Sequence, residues 1–386
     1  TDAPPLLLEA AKRLESRDDG LARETYLEAF GAAMFAGRLS GRSGVREAAE
    51  AARAAPPAPQ PPRPIDLLLD GLATRFTEGY VAGVAPLRRA LQAFRREAPR
   101  GEDDVMLWLW LAYPLAQETA AHELWDYETW DELAARAVRL ARAAGALAVL
   151  PVGLTYRAGV HLHAGEFAAA AALIEEADTI TAATGNAPVS YASLVLVAWR
   201  GEEAQALKLI EADVQVATAR GEGRVLGMAG YVTAVLYNGL GRYQAALAAA
   251  QRACEHEDLG FFAWSLVELV EAATRSGAHD EAATALRRLV DRTGAAGTDW
   301  ALGVQARSRA LLSDGQAAES LYLEAIGHLA RSRVAVHLAR GHLVYGEWLR
   351  REHRRVDARA HLRTAYDMFS HFGADAFAER ARGDER

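Results

Sequence analysis

The stretch YNGLGRYQAALAAAQRA, residues 237–253, contains a tyrosine, a glycine-rich break, a second tyrosine and then closely spaced alanines. The break separates two runs with helical character, and small residues at these spacings let neighbouring helices approach closely. A single copy of this pattern would be an ordinary turn. Repeated copies would predict a scaffold of stacked helix pairs.

The pattern does recur along the second part of the chain. Its copies are residues 163–177, 199–212, 240–253, 275–289, 313–326 and 351–365, with breaks at Gly165, Gly201, Gly241, Gly277, Gly315 and His353. Successive breaks are 36 to 40 residues apart, and each follows another helical run. A period in this range, with one helix pair per unit, is typical of an α-solenoid of tetratricopeptide-like repeats.

Small residues in the second helix of each pair are expected at the helix crossings. They are Ala246, Ala253, Ala282, Ala358 and Ala365. Their small side chains permit close packing, while leucine, tyrosine and tryptophan fill the space on either side. Tyr237 and Tyr243 flank the break and are expected to pack across it.

The first 150 residues fit the same organisation less regularly. Residues 22–39, 66–94 and 105–145 each resemble a helix pair around a break, and residues 54–64 hold six of the thirteen prolines. This proline-rich stretch predicts an extended surface loop. No strand signal is evident. We therefore predict an all-α fold: one continuous right-handed solenoid of about eight or nine helix pairs, divergent in 1–150 and regular in 151–386.

Composition limits the class of protein. The 386 residues are 51% hydrophobic and 24% charged, which is typical of a folded chain, and the net charge of −8 disfavours nucleic-acid binding. Cys254 is the single cysteine, so a reducing cytoplasm is the simplest location. No apolar run is long enough for a membrane span. Because the sequence starts at Thr1, without methionine, we expect a piece of a longer protein.

Motifs for chemistry are missing from the sequence. There is no Gly-Lys pair, and so no phosphate-binding P-loop, and no HExxH or GxSxG motif. His161 and His163 are two positions apart on a helix and point in different directions, which favours packed or half-exposed histidines over a metal site. Cys254 and His256 are interpreted as polar residues at the surface, in a loop at the end of a helix, and not as a site. We expect neither a catalytic site, a metal site nor a cofactor in this chain.

A binding surface remains the best interpretation. In a helix-pair solenoid the first helix of each pair lines the concave face. The candidates for ligand contact on that face are Tyr191, Met228, Tyr231, Trp264, Glu271 and Arg309, with Glu347 also on the inner side. A second candidate region is an aromatic-dense stretch that contains Trp108, Trp110, Tyr113, Trp125 and Trp130. Tryptophan can line a pocket for a flat or apolar ligand, although most tryptophans pack in the core.

Several longer segments resemble a known family. They include ARETYLEAFGAAMFAGRL at residues 22–39 and YGEWLRREHRRVDAR at residues 345–359, which is followed by LRTA. The chain resembles the helical, tetratricopeptide-like middle region of large ATP-binding LuxR-type transcriptional regulators, of the MalT-like STAND ATPase type. The resemblance extends from residue 22 to about residue 381.

The resemblance implies a division of labour within a parent protein. An ATPase domain would precede the repeats and use ATP and Mg²⁺, and a helix-turn-helix domain would follow them and bind DNA. Neither domain is part of this sequence. The repeats would receive a small-molecule inducer or a partner protein, and so control ATP-dependent oligomerisation and DNA binding. The first alternative is an effector-binding sensor, and the second is a protein-interaction scaffold with no small-molecule ligand.

Overall fold

The computed structural model describes residues 3–40, 44–99 and 101–385, and these residues form helices joined by short turns. The amino-terminal helices are α1 (Ala3–Leu14), α2 (Asp19–Ala36), α3 (Gly44–Arg53), α4 (Pro64–Thr77), α5 (Tyr80–Arg96), α6 (Glu102–Leu107), α7 (Tyr113–Leu115) and α8 (Tyr127–Ala143). The later helices are α9 (Leu150–His163), α10 (Phe167–Thr184), α11 (Tyr191–Arg200), α12 (Glu203–Arg220), α13 (Arg224–Gly239), α14 (Tyr243–Cys254), α15 (Phe262–Arg275), α16 (His279–Ala296), α17 (Asp299–Leu311), α18 (Gly315–Arg331), α19 (Ala335–Arg351), α20 (Arg355–Phe372) and α21 (Asp375–Glu385). The predicted all-α class is confirmed.

Consecutive helices pack in antiparallel-type pairs, nine of them within the described residues. The pairs are α1 with α2, α4 with α5, the helix of residues 102–121 with α8, and then α9 with α10 through α19 with α20. All six predicted breaks have left-handed backbone, with φ between 56° at Gly315 and 82° at Gly201. His353 adopts this conformation too, with φ of 60°, which is unusual for a residue other than glycine.

The two helices of a repeat differ in how they are buried. The first helices, such as α13, α15 and α19, are buried around most of their circumference. The second helices bury a single stripe, as in α14, where the stripe consists of Ala246, Ala249, Ala250 and Ala253. The alanines predicted at helix crossings are buried in every case. The second helices therefore form the outer layer, and the first helices share an interior.

Distant repeats contact one another. Helix α9 packs against α19, α5 against α16, and α2 against α13. Individual contacts include the Thr298 hydroxyl, which donates to the Trp125 carbonyl at 3.0 Å, and Arg88, which donates to the Ala296 carbonyl at 2.8 Å. Helix α21 then packs on α11, α13 and α19. The space between the inner helices is consequently filled by side chains.

Two local details differ from the sequence-based expectations. Residues 22–39 are not a helix pair: they belong to α2 and the 3₁₀ turn Gly37–Leu39, and the partner of α2 is α1. Gly31 and the small residues around it are compatible with a continuous helix, so no break occurs there. In the proline-rich stretch, Pro64 is the first residue of α4, a position where its missing N–H costs nothing.

Candidate functional site

A cluster of buried rings occupies the interior where the inner helices meet. We call it the aromatic cluster, and its members are His122, Trp125, Trp130, His163, Trp264, Trp300 and His337. Trp264 lies near its middle, with its ring centroid 4.9 Å from that of His163 and 5.6 Å from that of Trp300. These residues come from the turn at 122–126 and from α8, α9, α15, α17 and α19, so the cluster joins five repeats.

An irregular helix supplies one side of this interior. The helix of residues 102–121 contains two wide π-helical turns, Trp108–Ala112 and Ala116–Ala121. π-helical turns are rare and are often found at functional sites. After them the chain reaches Trp125, which is buried and has a φ of 56°. A bulky residue in that conformation is an outlier that surrounding contacts must hold in place.

A small inner cavity of about 40 Å³ lies beside the aromatic cluster. Its lining includes Glu118, His122, Trp130, His163, Met228 and Trp264. Among the described residues, neither ring nitrogen of His122 has a hydrogen-bond partner, and the same is true of the indole N–H groups of Trp130 and Trp264. Burial lowers the pKa of His122 well below its usual range, so the imidazole is neutral and offers one donor and one acceptor.

A larger outer cleft opens at the surface near the amino-terminal repeats. It has two parts, of about 470 Å³ and 340 Å³, which share Ala32, Phe35, Trp110 and Val152 as lining. Both parts are bounded by α2, the first π-helical turn and α9, and the larger part continues to the loops at 186–190 and 220–222. Trp110 is 66% exposed, whereas the other seven tryptophans are buried.

Two tyrosines separate the outer cleft from the inner cavity. Tyr156 and Tyr191 line both spaces. The Tyr156 hydroxyl donates to Glu118, which also forms an ion pair with Arg224, while the Tyr191 hydroxyl donates to Glu222 at 2.7 Å. The Arg224 guanidinium lies 4.5 Å from the centre of the Phe261 ring. Burial raises the pKa of Glu118 to about 7, although the charge of Arg224 acts to lower it.

Two acidic groups lie at opposite ends of the outer cleft. Glu28 of α2 lines the smaller part, and Glu222 lines the larger part. Burial, and then the negative charge of Glu24, raise the pKa of Glu28. Glu222 forms a long ion pair, at 3.9 Å, with exposed Arg220. The cleft thus combines an apolar floor, one open indole ring and a few polar groups.

A buried ionic network fills the carboxyl-terminal part of the interior. Arg340 of α19 donates to Glu268 at 2.9 Å and to Glu271 at 2.6 Å, both on α15. Arg380 of α21 donates to Glu271 at 2.8 Å and to Glu347 at 2.7 Å. Each acid in this network has at least one arginine partner on another helix, so the network holds α15, α19 and α21 together.

The structure places the six predicted site residues in three different environments. Tyr191, Met228 and Trp264 line the inner cavity together. Tyr231 is buried beside them, with its ring centroid 6.1 Å from that of Trp264, and Glu271 belongs to the ionic network. Arg309 is exposed, so its assignment to the inner face is wrong.

The error at Arg309 has a geometric cause. The inner side of α17 carries Trp300, Val304 and Arg307, which are buried. Arg309 lies two residues after Arg307, which is a rotation of about 200° around the helix axis. Its side chain therefore points outward. In the aromatic-dense stretch, Trp108, Tyr113, Trp125 and Trp130 are core residues, and Trp110 alone reaches the surface.

Several residues at the site were not singled out from the sequence. His163 was interpreted as a packed or half-exposed histidine, and Glu28, Glu118, His122 and Arg224 were not identified at all. A signal for two of them exists in AQETAAHELW, residues 116–125, where polar residues interrupt an apolar run without helical periodicity. The partner of Glu118, Arg224, belongs to a distant repeat. No pattern in the sequence around either residue predicts this ion pair.

Comparisons with known proteins assign no family to this chain. No family model matches the chain, and no curated protein matches it significantly. A solved structure described as a circular tandem repeat protein with novel repeat topology and enhanced subunit contact surfaces is 16% identical over 99% of this chain and 95% of that one. Its TM-score is 0.16, so the likeness carries no argument.

Within 3–40, 44–99 and 101–385, no helix is both long and apolar enough to cross a membrane. Within the same ranges, no group of three or more histidine, cysteine, aspartate or glutamate side chains is arranged to hold a metal ion.

Proposed function

We propose that this chain is the effector-sensing domain of a LuxR-type transcriptional regulator, and that it binds a small molecule in the outer cleft. The observation that carries the proposal is the cleft itself, whose two connected parts share the exposed ring of Trp110. Ligand sites are typically concave, mostly apolar and of about 300–1,000 Å³, with a few polar groups that fix orientation. Both parts of the cleft fall in that range.

The position of the cleft supports a sensing role. A ligand in its larger part contacts Tyr156 and Tyr191, and movement of these tyrosines acts on Glu118 and Glu222. Glu118 in turn holds Arg224, the first residue of α13. Helix α13 packs against α11, α15 and α21, so a change at the cleft reaches the carboxyl-terminal helix. A ligand shifts such a domain only by binding one arrangement more tightly than the other.

In the parent regulator, the repeats would pass this change to an ATPase domain and a DNA-binding domain. The function of this chain is then binding and transmission, without a catalytic step and without nucleic-acid contact of its own. ATP and Mg²⁺ would belong to the ATPase domain.

Protein docking at the same place is the second candidate function. Leu147 is 51% exposed and directly precedes Ala148, which lines the cleft. Together with Trp110 it offers apolar surface to a partner protein. The concave shape favours the small molecule, because Phe35, Tyr156 and Tyr191 line a space of about 470 Å³ that a ligand of that size can fill.

Fluorescence quenching by acrylamide tests the proposal directly. Since seven of the eight tryptophans are buried, the quenchable fraction of the emission belongs mainly to Trp110. The purified chain is screened against a metabolite panel and against extracts for compounds that reduce quenching and raise the melting temperature together. A ligand at a hundred times its dissociation constant stabilises the fold by about 2.7 kcal/mol.

Two variants locate the binding site. We expect Trp110→Ala to lose the thermal shift and Leu323→Ala, at an exposed apolar position on an outer helix, to keep it. If no compound shifts the melting temperature, while a partner domain protects Trp110 from the quencher, the chain is an interaction scaffold and the sensor proposal fails.

A further inference from the structure

We infer that the ligand of the outer cleft is a flat or apolar organic cation, whose positive charge lies against Glu28. This inference rests on the proposed small-molecule function and adds a chemical class and an orientation. It depends on three features of the cleft: an acid without a counter-ion, an open aromatic ring beside it, and a different polarity at the opposite end.

The first feature is the isolation of Glu28. Its side chain lines the smaller part of the cleft together with Leu7, Leu111, Leu115 and Pro114. Within the described residues, no arginine, lysine or histidine forms an ion pair or hydrogen bond with it, in contrast to Glu24, one turn earlier, which is held by Arg63. A carboxylate in apolar surroundings is costly to keep charged without a partner, and a bound cation removes that cost.

The second feature is the ring of Trp110. It belongs to both parts of the cleft and is the exposed tryptophan of the chain. Tryptophan is the most favourable ring for a cation, with about 0.5–1 kcal/mol at exposed sites and about 2 kcal/mol or more when water is excluded. The same ring stacks on a flat apolar body. An aromatic or alkyl cation can therefore use Trp110 and Glu28 at once.

The third feature sets the orientation. At the opposite end of the cleft, Glu222 accepts the Tyr191 hydroxyl, and Arg220 lies beside it. Positive charge from Arg220 disfavours a cation there, whereas the side chain of Asn186 and the tyrosines provide neutral hydrogen-bonding groups. The cationic end of the ligand consequently lies at Glu28, and a neutral polar group lies towards Glu222.

Three probes with one ring system test the class of ligand. N-methylacridinium carries a permanent positive charge, acridine is neutral in mildly alkaline buffer, and acridine-9-carboxylate is negative. Each is titrated into the full chain at low and high salt, and binding is followed by acrylamide protection of Trp110. We expect the cation to bind about tenfold more tightly than acridine, which is about 1.4 kcal/mol, and the anion to bind most weakly.

Charge variants test the role of Glu28. Glu28→Gln should reduce the preference for the cation to nearly none, and should leave the affinity for neutral acridine unchanged. Glu211→Gln makes the same charge change at an exposed site on the outer helix α12, and should keep the preference. Added salt should weaken binding of the cation to the unsubstituted chain, but should have little effect on its binding to Glu28→Gln.

The two proposals fail in different ways. If acridine binds as tightly as the cation, or if Glu28→Gln keeps the preference, the cation assignment is overturned while small-molecule sensing stands. If none of the three probes protects Trp110, a flat organic cation is not the class of ligand, and the wider metabolite panel decides the sensing function separately.

Discussion

The rings of His163 and His337 lie 6.0 Å apart, although the two residues belong to α9 and α19, the first helices of the fourth and ninth pairs. The Nδ1–H of His163 donates to the Gly159 carbonyl at 2.9 Å, and the rest of its ring is surrounded by Trp130, Trp264 and Trp300. This contact brings distant repeats together in one interior. It also places titratable groups where water is excluded.

The first prediction concerns acid stability. Burial lowers the pKa of His163 from 6.5 to about 4, and the pKa values of His122 and His337 lie well below 6.5 for the same main reason. A histidine with a depressed pKa contributes its stability in full above about pH 6.5, and loses it as the pH falls towards the folded-state value. Each such histidine gives a slope of about 1.4 kcal/mol per pH unit in that window.

A variant separates the contribution of His163 from those of its neighbours. Glu118 acts in the opposite direction, since its raised pKa means that protonation between about pH 7 and 4.5 favours the folded state. Urea unfolding of the parent chain and of His163→Gln is therefore compared from pH 7.5 to pH 5. We expect the free energy of unfolding to fall less steeply with decreasing pH in His163→Gln than in the unsubstituted chain. Equal slopes would show that His163 is not kept neutral by burial.

The second prediction distinguishes core tryptophans from the surface one. Trp264→Ala removes a large side chain from the middle of the aromatic cluster, and should lower the free energy of unfolding by about 3–5 kcal/mol. Trp110→Ala should change it by less than about 0.5 kcal/mol, because that side chain is exposed. Denaturant titration measures both. A small effect of Trp264→Ala would contradict the packed interior.

The sequence was informative about the repeat and less so about the interior. Periodicity predicted the helix pairs, and the breaks at Gly165, Gly241 and His353 adopt the left-handed backbone that ends a helix. The inner face of α17 was misassigned by two positions, because an inner helix that is buried on most sides shows little amphipathic periodicity. The pairing of Glu118 with Arg224 depends on how distant repeats meet, and local patterns do not encode it.

The third prediction compares two glycines with the same backbone conformation. Gly201 and Gly277 have φ values of 82° and 78°. A Cβ at Gly277 meets nothing within 4 Å, whereas a Cβ at Gly201 would lie 2.2 Å from the Cβ of Ala376 in α21. Gly277→Ala should cost about 1–2 kcal/mol from backbone strain alone.

Gly201→Ala adds a steric clash to that strain. We expect a further loss of about 1–3 kcal/mol, because α21 must move away from the end of α11. Thermal and urea unfolding of the two variants give the difference. Equal destabilisation would mean that α21 does not pack against this turn as described.

The fourth prediction concerns the attachment of α21. Arg380 is nearly fully buried and donates to Glu347 of α19, Glu271 of α15 and the Asn238 carbonyl of α13, at 2.7, 2.8 and 2.9 Å. Arg380→Met leaves two buried carboxylates with fewer partners, and removal of one member of such a network typically costs about 3–5 kcal/mol. Arg382→Met is the matched control, since Arg382 is exposed and pairs with exposed Glu379.

Hydrogen exchange measures this effect helix by helix. In Arg380→Met the amides of α21 should exchange much faster, while those of α5, which packs on α4, α8 and α16, stay protected. In Arg382→Met the exchange of α21 should match that of the parent chain. If α21 stays protected in Arg380→Met, the aromatic contacts of Phe377 with Trp199 and Phe369 hold the helix on their own, and the ionic network is dispensable for docking. Under the proposed function, ligand in the outer cleft should alter α21 exchange in the parent chain, because Arg224 and Asn238 both lie on α13.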